Sequence, residues 1–536
     1  MKPKFSLRVG ALAVVVCLTI NGVRGVALQD IGGTLAFQGQ DIIGGAAIIF
    51  KPPKRVRDLA GNTAALLAAR RPSRPNRPVE VARNNNDRNR PTAQPTPTTV
   101  ATATAENRRE ALKEQGNAHY DRGEFQQAID AYQNALKLDT NDADVYNNLG
   151  AAYFNLNKAS ESAAAFQKSI SLKSDDADAF NNLGASLYKA GRYREASEAF
   201  RNAVRLTPND ADALNNLGAV YYVLEQYDLA LDSFQKATAA NAGSADAHYN
   251  LGNAYYMSGR NREAQTAYRR AIQLKPDYVE AKTNLGSLLI LSDPRGAAAE
   301  LRESLRLRPD NAVAYNNLGY ALVKIGEDLD RGNVVQYLRQ AVEAYKEALR
   351  LKPDYVKAMN NLGAAYNKLG QYQEAEALLL SATRAKPDFP EAHYNLGTAL
   401  YNRGNFKGAV NEFQQAVRLK QDYAEAYNSL GTALYKDQQF DAAIAAYKKT
   451  LTLKPANAET NNNLGTVYFR TKRYQEAAAS FKEAIRLKPD YGEAHFNLAI
   501  AYVALNDRKA ALEQYNRLKK VDPKLADDFF QRYMKK

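Results

Sequence analysis

The sequence predicts an all-α solenoid of about twelve stacked helix pairs closed by a C-terminal capping helix, and three observations predict it. The phrase Asn-Asn-Leu-Gly stands at 147–150, 181–184, 215–218, 316–319, 360–363 and 462–465, with Tyr or Thr in first place at 249–252, 283–286 and 394–397. Gly150, Gly184, Gly218 and Gly252 follow one another at intervals of 34 residues. A fixed period of that size belongs to a stack of like supersecondary units. Around each glycine runs one skeleton, shown by Tyr255, Ala264, Tyr268, Ala271 and Pro276 around Gly252. A chain of 536 residues needs no large central core if it grows by adding such units.

This skeleton resembles the tetratricopeptide repeat, a pair of antiparallel helices. The match covers about 109–525 in twelve copies. The resemblance implies a right-handed α-α superhelical solenoid with a concave inner surface.

Ahead of the repeats, 1–25 begins with Lys2, Lys4 and Arg8, runs apolar from Val9 to Ile20 and continues through Gly22 and Gly25. Such an order reads as a secretory signal peptide, and the apolar run is short for a membrane span. An uncleaved anchor is the alternative. Removing the signal removes Cys17, the single cysteine, and with it any disulfide or thiolate chemistry. The expected location is therefore outside the cytoplasm, in a bacterial periplasm or cell envelope. Residues 26–69 form a short Gly-rich, β-prone segment to which no function is assigned. Residues 70–105, dense in Arg, Asn, Pro and Thr, lack the apolar surface to offset chain entropy and read as a disordered linker.

Charge follows the same division. Residues 26–105 hold 11 Lys+Arg against 5 Asp+Glu, and the signal contributes four cations, so only +4 of the net +14 belongs to the repeats. The high pI is a property of the leader and linker. Nucleic acid is not an expected partner, and a membrane is one only through an uncleaved signal or the basic linker.

The repeats run 34 residues each from Arg109 with two exceptions. The sixth, 279–311, is one residue short. The seventh, 312–355, carries ten extra residues between Gly326 and Leu338, which suggests a break in the superhelix, a protruding loop or a tolerated insertion. Beyond the repeats at 106–525, residues 526–536 complete a helix that caps the open end.

With Leu-Gly at positions 7 and 8 of each repeat, positions 4, 7, 8 and 11 form the packing face of the first helix, and positions 2, 6, 9 and 13 point the other way. Position 6 is Asn148, Asn182, Asn216, Asn250, Asn284, Asn317, Asn361, Asn395, Asn463 and Asn497, with Glu114 and Ser429 as exceptions. Helix propensity does not select asparagine, and an amide matches the donor and acceptor of a peptide unit. The row is similar to the asparagine ladder in the superhelical repeats of O-GlcNAc transferase. That resemblance implies capture of an extended peptide by its main chain. The alternative is an asparagine copied with each repeat and only solvated. Tyr188, Tyr222, Tyr256, Tyr401 and Tyr435 at position 12 flank the groove and are candidates to grip ligand side chains, with packing inside the repeat as the alternative. Position 13 changes from Val223, Met257 and Leu291 to Lys324, Lys368, Lys436 and Arg470, which would suit a ligand with apolar and acidic parts.

An enzyme needs a site, and none is expected. His119, His248, His393 and His495 stand at packing positions and far apart, so no catalytic residues, metal or cofactor are implied. Nothing in the chain corresponds to the transferase's catalytic domain. A carboxylate clamp begins with Lys113, Asn117 and Asn148 but meets Asp178 and Asn182 where the third repeat should be basic. The expected partners are proteins or peptides, with no small-molecule substrate. Two classes remain: a peptide-capturing adaptor, or an envelope scaffold docking folded partners outside the groove.

Overall fold

The computed structural model describes residues 97–327 and 331–534. The expected signal peptide at 1–25, the β-prone segment at 26–69 and residues 70–96 of the expected linker lie outside the described residues. Two compact units divide the array, one from the first repeat to Leu288 and the other from Leu289 onward, with Arg306–Arg308 joining the first. Within each, consecutive helices pack as antiparallel pairs, and every regular repeat joins a 13-residue first helix to a 14-residue second one, as in Ala177–Lys189 and Tyr193–Leu206.

The repeated glycine marks the closest approach within each pair. A Cβ on Gly218 would lie 2.7 Å from the ring of Phe234, sixteen residues on, and Gly184 and Phe200 repeat the arrangement. Only glycine lets a buried ring pack flat against the first helix. Tyr132, Phe166, Phe200, Phe234, Tyr268, Tyr345, Phe413 and Tyr447 fill this place with little or no exposure. The turn between the two helices needs one left-handed residue. Gly191 supplies it at φ 78°, while Glu225 and Gln438 adopt it at 60° and 63° without that freedom.

First helices start in two ways. In the N-terminal unit Asp142, Asp176, Asp210 and Ser244 cap them by accepting from backbone N–H groups. In the C-terminal unit Tyr355, Phe389, Tyr423 and Tyr491 stand at that register, with no side-chain cap bond. There a lysine three residues earlier lies over each ring, Lys352, Lys386, Lys420 and Lys488 in turn. Tyr278, Asn311 and Asn457 are the exchanges between the two groups, Asn311 and Asn457 each accepting from a backbone N–H.

Two expectations are corrected here. The first helix begins at Pro97, inside the segment read as linker, because the helical run Arg108–Asp121 propagates back through alternating Thr and Ala at little entropic penalty. The ten extra residues make no long loop. They lengthen both helices of the seventh repeat, to Ala312–Glu327 and Arg331–Leu351, since the insertion continues the helical pattern. The short sixth repeat has a shorter first helix, Val279–Leu289, joined to Pro294–Leu307 by a turn in which Asp293 accepts from the Gly296 N–H at 2.9 Å. At the C-terminus Pro523–Phe529 continues into a π turn, and Phe529 meets Phe496 of the twelfth repeat edge-on at 6.1 Å.

Candidate functional site

The asparagine row lies in the junctions between repeats. Asn216 Nδ2 donates to Asn181 Oδ1 at 3.0 Å, Asn250 to Asn215 at 3.1 Å, Asn361 to Asn316 at 3.0 Å, Asn395 to Asn360 at 2.8 Å and Asn497 to Asn462 at 3.0 Å. Position 6 of one repeat thus reaches position 5 of the repeat before it. Where position 5 is Lys113 or Tyr249, the acceptor moves to position 9: Asn148 donates to Asn117 and Asn284 to Asn253, each at 3.0 Å. Those two acceptors also take a bond at 2.8 Å from the buried tyrosine of their own repeat, Tyr132 or Tyr268. The Tyr447 and Thr432 hydroxyls, 2.9 Å apart, follow the same pattern. Tyr345, at the same place in the seventh repeat, is the exception, with Tyr320 at position 9 and no partner for its hydroxyl.

This placement corrects the expectation that position 6 points away from all packing. Asn148, Asn182, Asn216, Asn250 and Asn284 keep only 1–4% exposure, and Asn317, Asn361 and Asn395 keep 0%. Asn463 and Asn497 are half-buried. A helical wheel drawn for one pair omits the first helices of the neighbouring repeats, which touch it on both sides.

Both exceptions to asparagine now have reasons. Glu114 belongs to the first repeat, which has no predecessor, and it is exposed. Ser429 follows a repeat with Tyr394 at position 5 and shares a hydrogen bond with that hydroxyl. The last repeat in turn carries no acceptor amide, because Phe496 and Ile500 occupy positions 5 and 9. The acceptors were not singled out from sequence, although the doubled Asn-Asn was the available signal.

Several amide atoms stay unpaired. Asn182 Nδ2, Asn215 Nδ2, Asn216 Oδ1, Asn253 Nδ2 and Asn284 Oδ1 are buried without a hydrogen-bond partner, all in the N-terminal unit. Asn147 Oδ1, at position 5 of the repeat before Asn182, is unpaired too, as is Asn367 Oδ1 in the C-terminal unit.

The flanking aromatics mostly pack inside their repeats. Tyr188 meets Tyr193 at 5.4 Å, Tyr222 meets Tyr227 at 5.5 Å, Tyr401 meets Phe406 at 5.3 Å and Tyr435 meets Phe440 at 6.0 Å. Burial raises the Tyr188, Tyr222 and Tyr401 hydroxyls above the ordinary tyrosine range. Tyr256 has Asn261 at the partner register and is half-buried.

The basic run at position 13 is partly neutralised. Glu327, in the added turn of the seventh repeat, lies 2.8 Å from Lys324 and 2.5 Å from Lys368. Burial opposes its ionisation, yet the two ammonium groups hold it below the usual carboxylate range. Sequence reasoning missed Glu327 because only the helical insertion brings it there. Leu291 by contrast is 54% exposed. His393 and His495 sit between the preceding loop, at Pro387 and Pro489 carbonyls, and Glu412 or Gln514 of the second helix. Among the described residues no group of His, Cys, Asp and Glu could hold a metal ion, and no helix is long and apolar enough to cross a membrane.

A stack of short antiparallel helix pairs, most of them joined to the next through an amide, defines a repeat scaffold. Models described as TPR or tetratricopeptide repeat match residues 116–157, 143–176, 186–224, 211–241, 245–278, 338–393, 394–458 and 469–528. The chain belongs to the tetratricopeptide-repeat proteins, which makes it a scaffold for interactions with other proteins. Among solved structures it is similar to the Cut9–Hcn1 hetero-tetramer of the APC/C, at 14% identity over 82% of this chain and 99% of that one, TM-score 0.44. It is also similar to YrrB, described as a TPR protein with an unusual peptide-binding site, at 25% identity over 37% and 96%, TM-score 0.32. Yeast Tom70 is similar at 18% identity over 79% and 93%, TM-score 0.32. No curated protein matches the chain.

Proposed function

We propose that this is an exported, non-enzymatic adaptor whose N-terminal unit holds extended peptide segments along the first helices of its repeats. The observation that carries the reading is the set of buried, unpaired amide atoms, donors on Asn182, Asn215 and Asn253 and acceptors on Asn216 and Asn284. Buried polar atoms without partners are unfavourable by about 1–3 kcal/mol each. A peptide main chain offers one donor and one acceptor per residue at matching spacing. Asn215, Asn216, Asn253 and Asn284 would then hold a junction with one amide atom and the ligand with the other, and Asn182 Nδ2 would serve the ligand alone. Export is inferred from the basic start and apolar run at 1–25.

The second reading, a scaffold docking folded partners outside the groove, is favoured in the C-terminal unit. Asn317, Asn361 and Asn395 are fully closed there.

The experiment is capture of partner proteins and of their peptides by the full chain and by Asn182→Ala. Asn182 Nδ2 makes no junction bond, so its loss should leave folding intact and weaken a main-chain ligand. Methylating the ligand's backbone nitrogens should weaken it likewise. Binding that ignores both changes would place the interaction elsewhere.

A further inference from the structure

We propose that the C-terminal end of the array docks an amphipathic helix of a partner protein, apolar along one stripe and acidic on its flanks, on Leu512, Tyr515 and Phe530. The inference goes beyond the proposed function, because it concerns the end of the C-terminal unit and none of the asparagines of the N-terminal unit.

The ends of a solenoid have no neighbour to cover them, and polar residues normally face them. The N-terminal end follows that rule. Gln115 stands exposed at position 7, where every other repeat buries a leucine, and Glu114 is exposed beside it. The C-terminal end departs from it. In the three preceding repeats the fifth residue of the second helix, Val410, Ile444 or Ala478, keeps 4–6% exposure with the first helix of the next repeat packed alongside. Leu512 holds the same register in the last repeat and is 45% exposed. Phe530, just past the short helix Pro523–Phe529, is 37% exposed. Contiguous exposed apolar side chains on a soluble scaffold mark a contact surface.

A second observation shows why an aromatic ring joins them. The first eleven repeats carry glycine at position 8. A Cβ on Gly397, Gly431 or Gly465 would fall 2.6–2.7 Å from the ring of Phe413, Tyr447 or Phe481, and those rings keep 0–2% exposure. The twelfth repeat has Ala499 there. Its methyl group takes the place of the ring, and Tyr515 lies half-buried, stacked on Phe530 at 5.6 Å. Leu512, Tyr515 and Phe530 therefore make one apolar strip.

Shape and charge set what the strip takes. The three preceding second helices are each covered by a helix at this register, so the surface is already formed to pack one. Arg508, Leu512, Tyr515 and Lys519 stand at i, i+4, i+7 and i+11 on one helix face, and both cations are exposed. Lys519 lies over the Tyr515 ring at 5.6 Å. Residues 508–536 hold 9 Lys+Arg against 4 Asp+Glu. Of those carboxylates, Asp522 caps a helix and Asp528 accepts from Arg532 at 2.6 Å. Two copies meeting through this face would bring like charges together, whereas carboxylates on a partner helix would meet cations at both ends of the strip, about 16 Å apart.

The test is fluorescence anisotropy on the full chain with three labelled helical peptides of about eighteen residues, sharing one leucine stripe and flanked by Glu, Gln or Lys. The Glu peptide should bind about tenfold tighter than the Gln peptide at low salt, and the Lys peptide weakest, with the gap closing as salt is added. Leu512→Gln with Phe530→Gln should weaken the Glu peptide about tenfold and leave the thermal midpoint unchanged, since both side chains are exposed. Arg508→Glu with Lys519→Glu should reverse the order and make the Lys peptide the tightest. Asn182→Ala should leave all three affinities as they were, which separates this surface from the proposed function. No binding by any peptide, binding indifferent to the two Gln substitutions, or equal affinity for the Glu and Lys peptides overturns the proposal. Self-association seen by sedimentation and abolished by the Gln substitutions would give the face to a second copy and overturn it too. So would uptake on phosphatidylglycerol vesicles lost in that variant with no peptide preferred, which would give the face to a membrane surface.

Discussion

The two units share one repeat and solve its polar problems differently. In the N-terminal unit, most helix starts are capped by a carboxylate, and most junctions leave amide atoms unpaired. In the C-terminal unit, rings that are buried (Phe389, Tyr423) or half-buried (Tyr355, Tyr491) replace most of those caps, and lysines lie over the rings. The junction asparagines Asn317, Asn361 and Asn395 are shut off from solvent there, although Asn367 Oδ1 is unpaired. The difference teaches that a repeat's period constrains its glycine and its helices much more than its surface. The same backbone can present an acidic, amide-lined edge in one place and a closed, ion-paired one in another.

The largest expected effect tests what the units have in common. Gly218→Ala sets a methyl group 2.7 Å from the Phe234 ring, and Gly465→Ala sets one as close to Phe481. Both should destabilise their own unit by about 2–3 kcal/mol, read as faster amide hydrogen exchange confined to that unit. A tolerated alanine in either would mean that the ring–glycine contact is not what holds the pair together.

The junctions come next. Asn361→Ala removes a bond and strands the buried Asn316 Oδ1, and should destabilise by about 1–2 kcal/mol. Asn182→Ala, at the junction with no such bond, should fall well short of that. Equal losses in thermal melts would erase the distinction between open and closed junctions.

A pair of tyrosines should respond with opposite signs. The Tyr268 hydroxyl donates to Asn253 Oδ1 at 2.8 Å, so Tyr268→Phe should destabilise the N-terminal unit by about 1 kcal/mol. The Tyr345 hydroxyl is equally buried and has no partner, so Tyr345→Phe should leave the C-terminal unit as stable or slightly more so. Urea midpoints with hydrogen exchange by unit would decide.

The smallest effect is in pH. Burial pulls the His393 imidazole down, but Glu412 at 2.7 Å and the Pro387 carbonyl outweigh it, and the group is raised. Its stabilisation is complete below the ordinary histidine value near 6.5 and is lost as pH rises through the raised value. His248 is lowered, by burial first and by Arg270, against the Ala242 carbonyl at 3.3 Å. Its contribution is present above about 6.5 and is lost as pH falls through the lowered value. The units should therefore tilt in opposite directions across that pH range. His393→Gln should flatten one slope and His248→Gln the other, as followed by exchange rates corrected for intrinsic pH dependence.

What the sequence determined by itself is local and periodic. The helices, their turns and the glycine–aromatic contact repeat every 34 residues, and each is a property of one helix pair. Gly252 and Tyr268 could be matched without knowing any neighbour. The packing of Tyr188 and Tyr222 inside their repeats was likewise within reach as the plainer alternative. The asparagine row was legible as a row and misplaced as a surface, because Asn216 finds its partner, Asn181, in the preceding repeat. Glu327 escaped for a similar reason, since only a helix lengthened by an insertion sets it between Lys324 and Lys368. Periodicity reports what a residue does inside its unit. The tertiary structure alone decided what it does between units, because a hydrogen bond depends on a distance that a one-dimensional repeat does not contain.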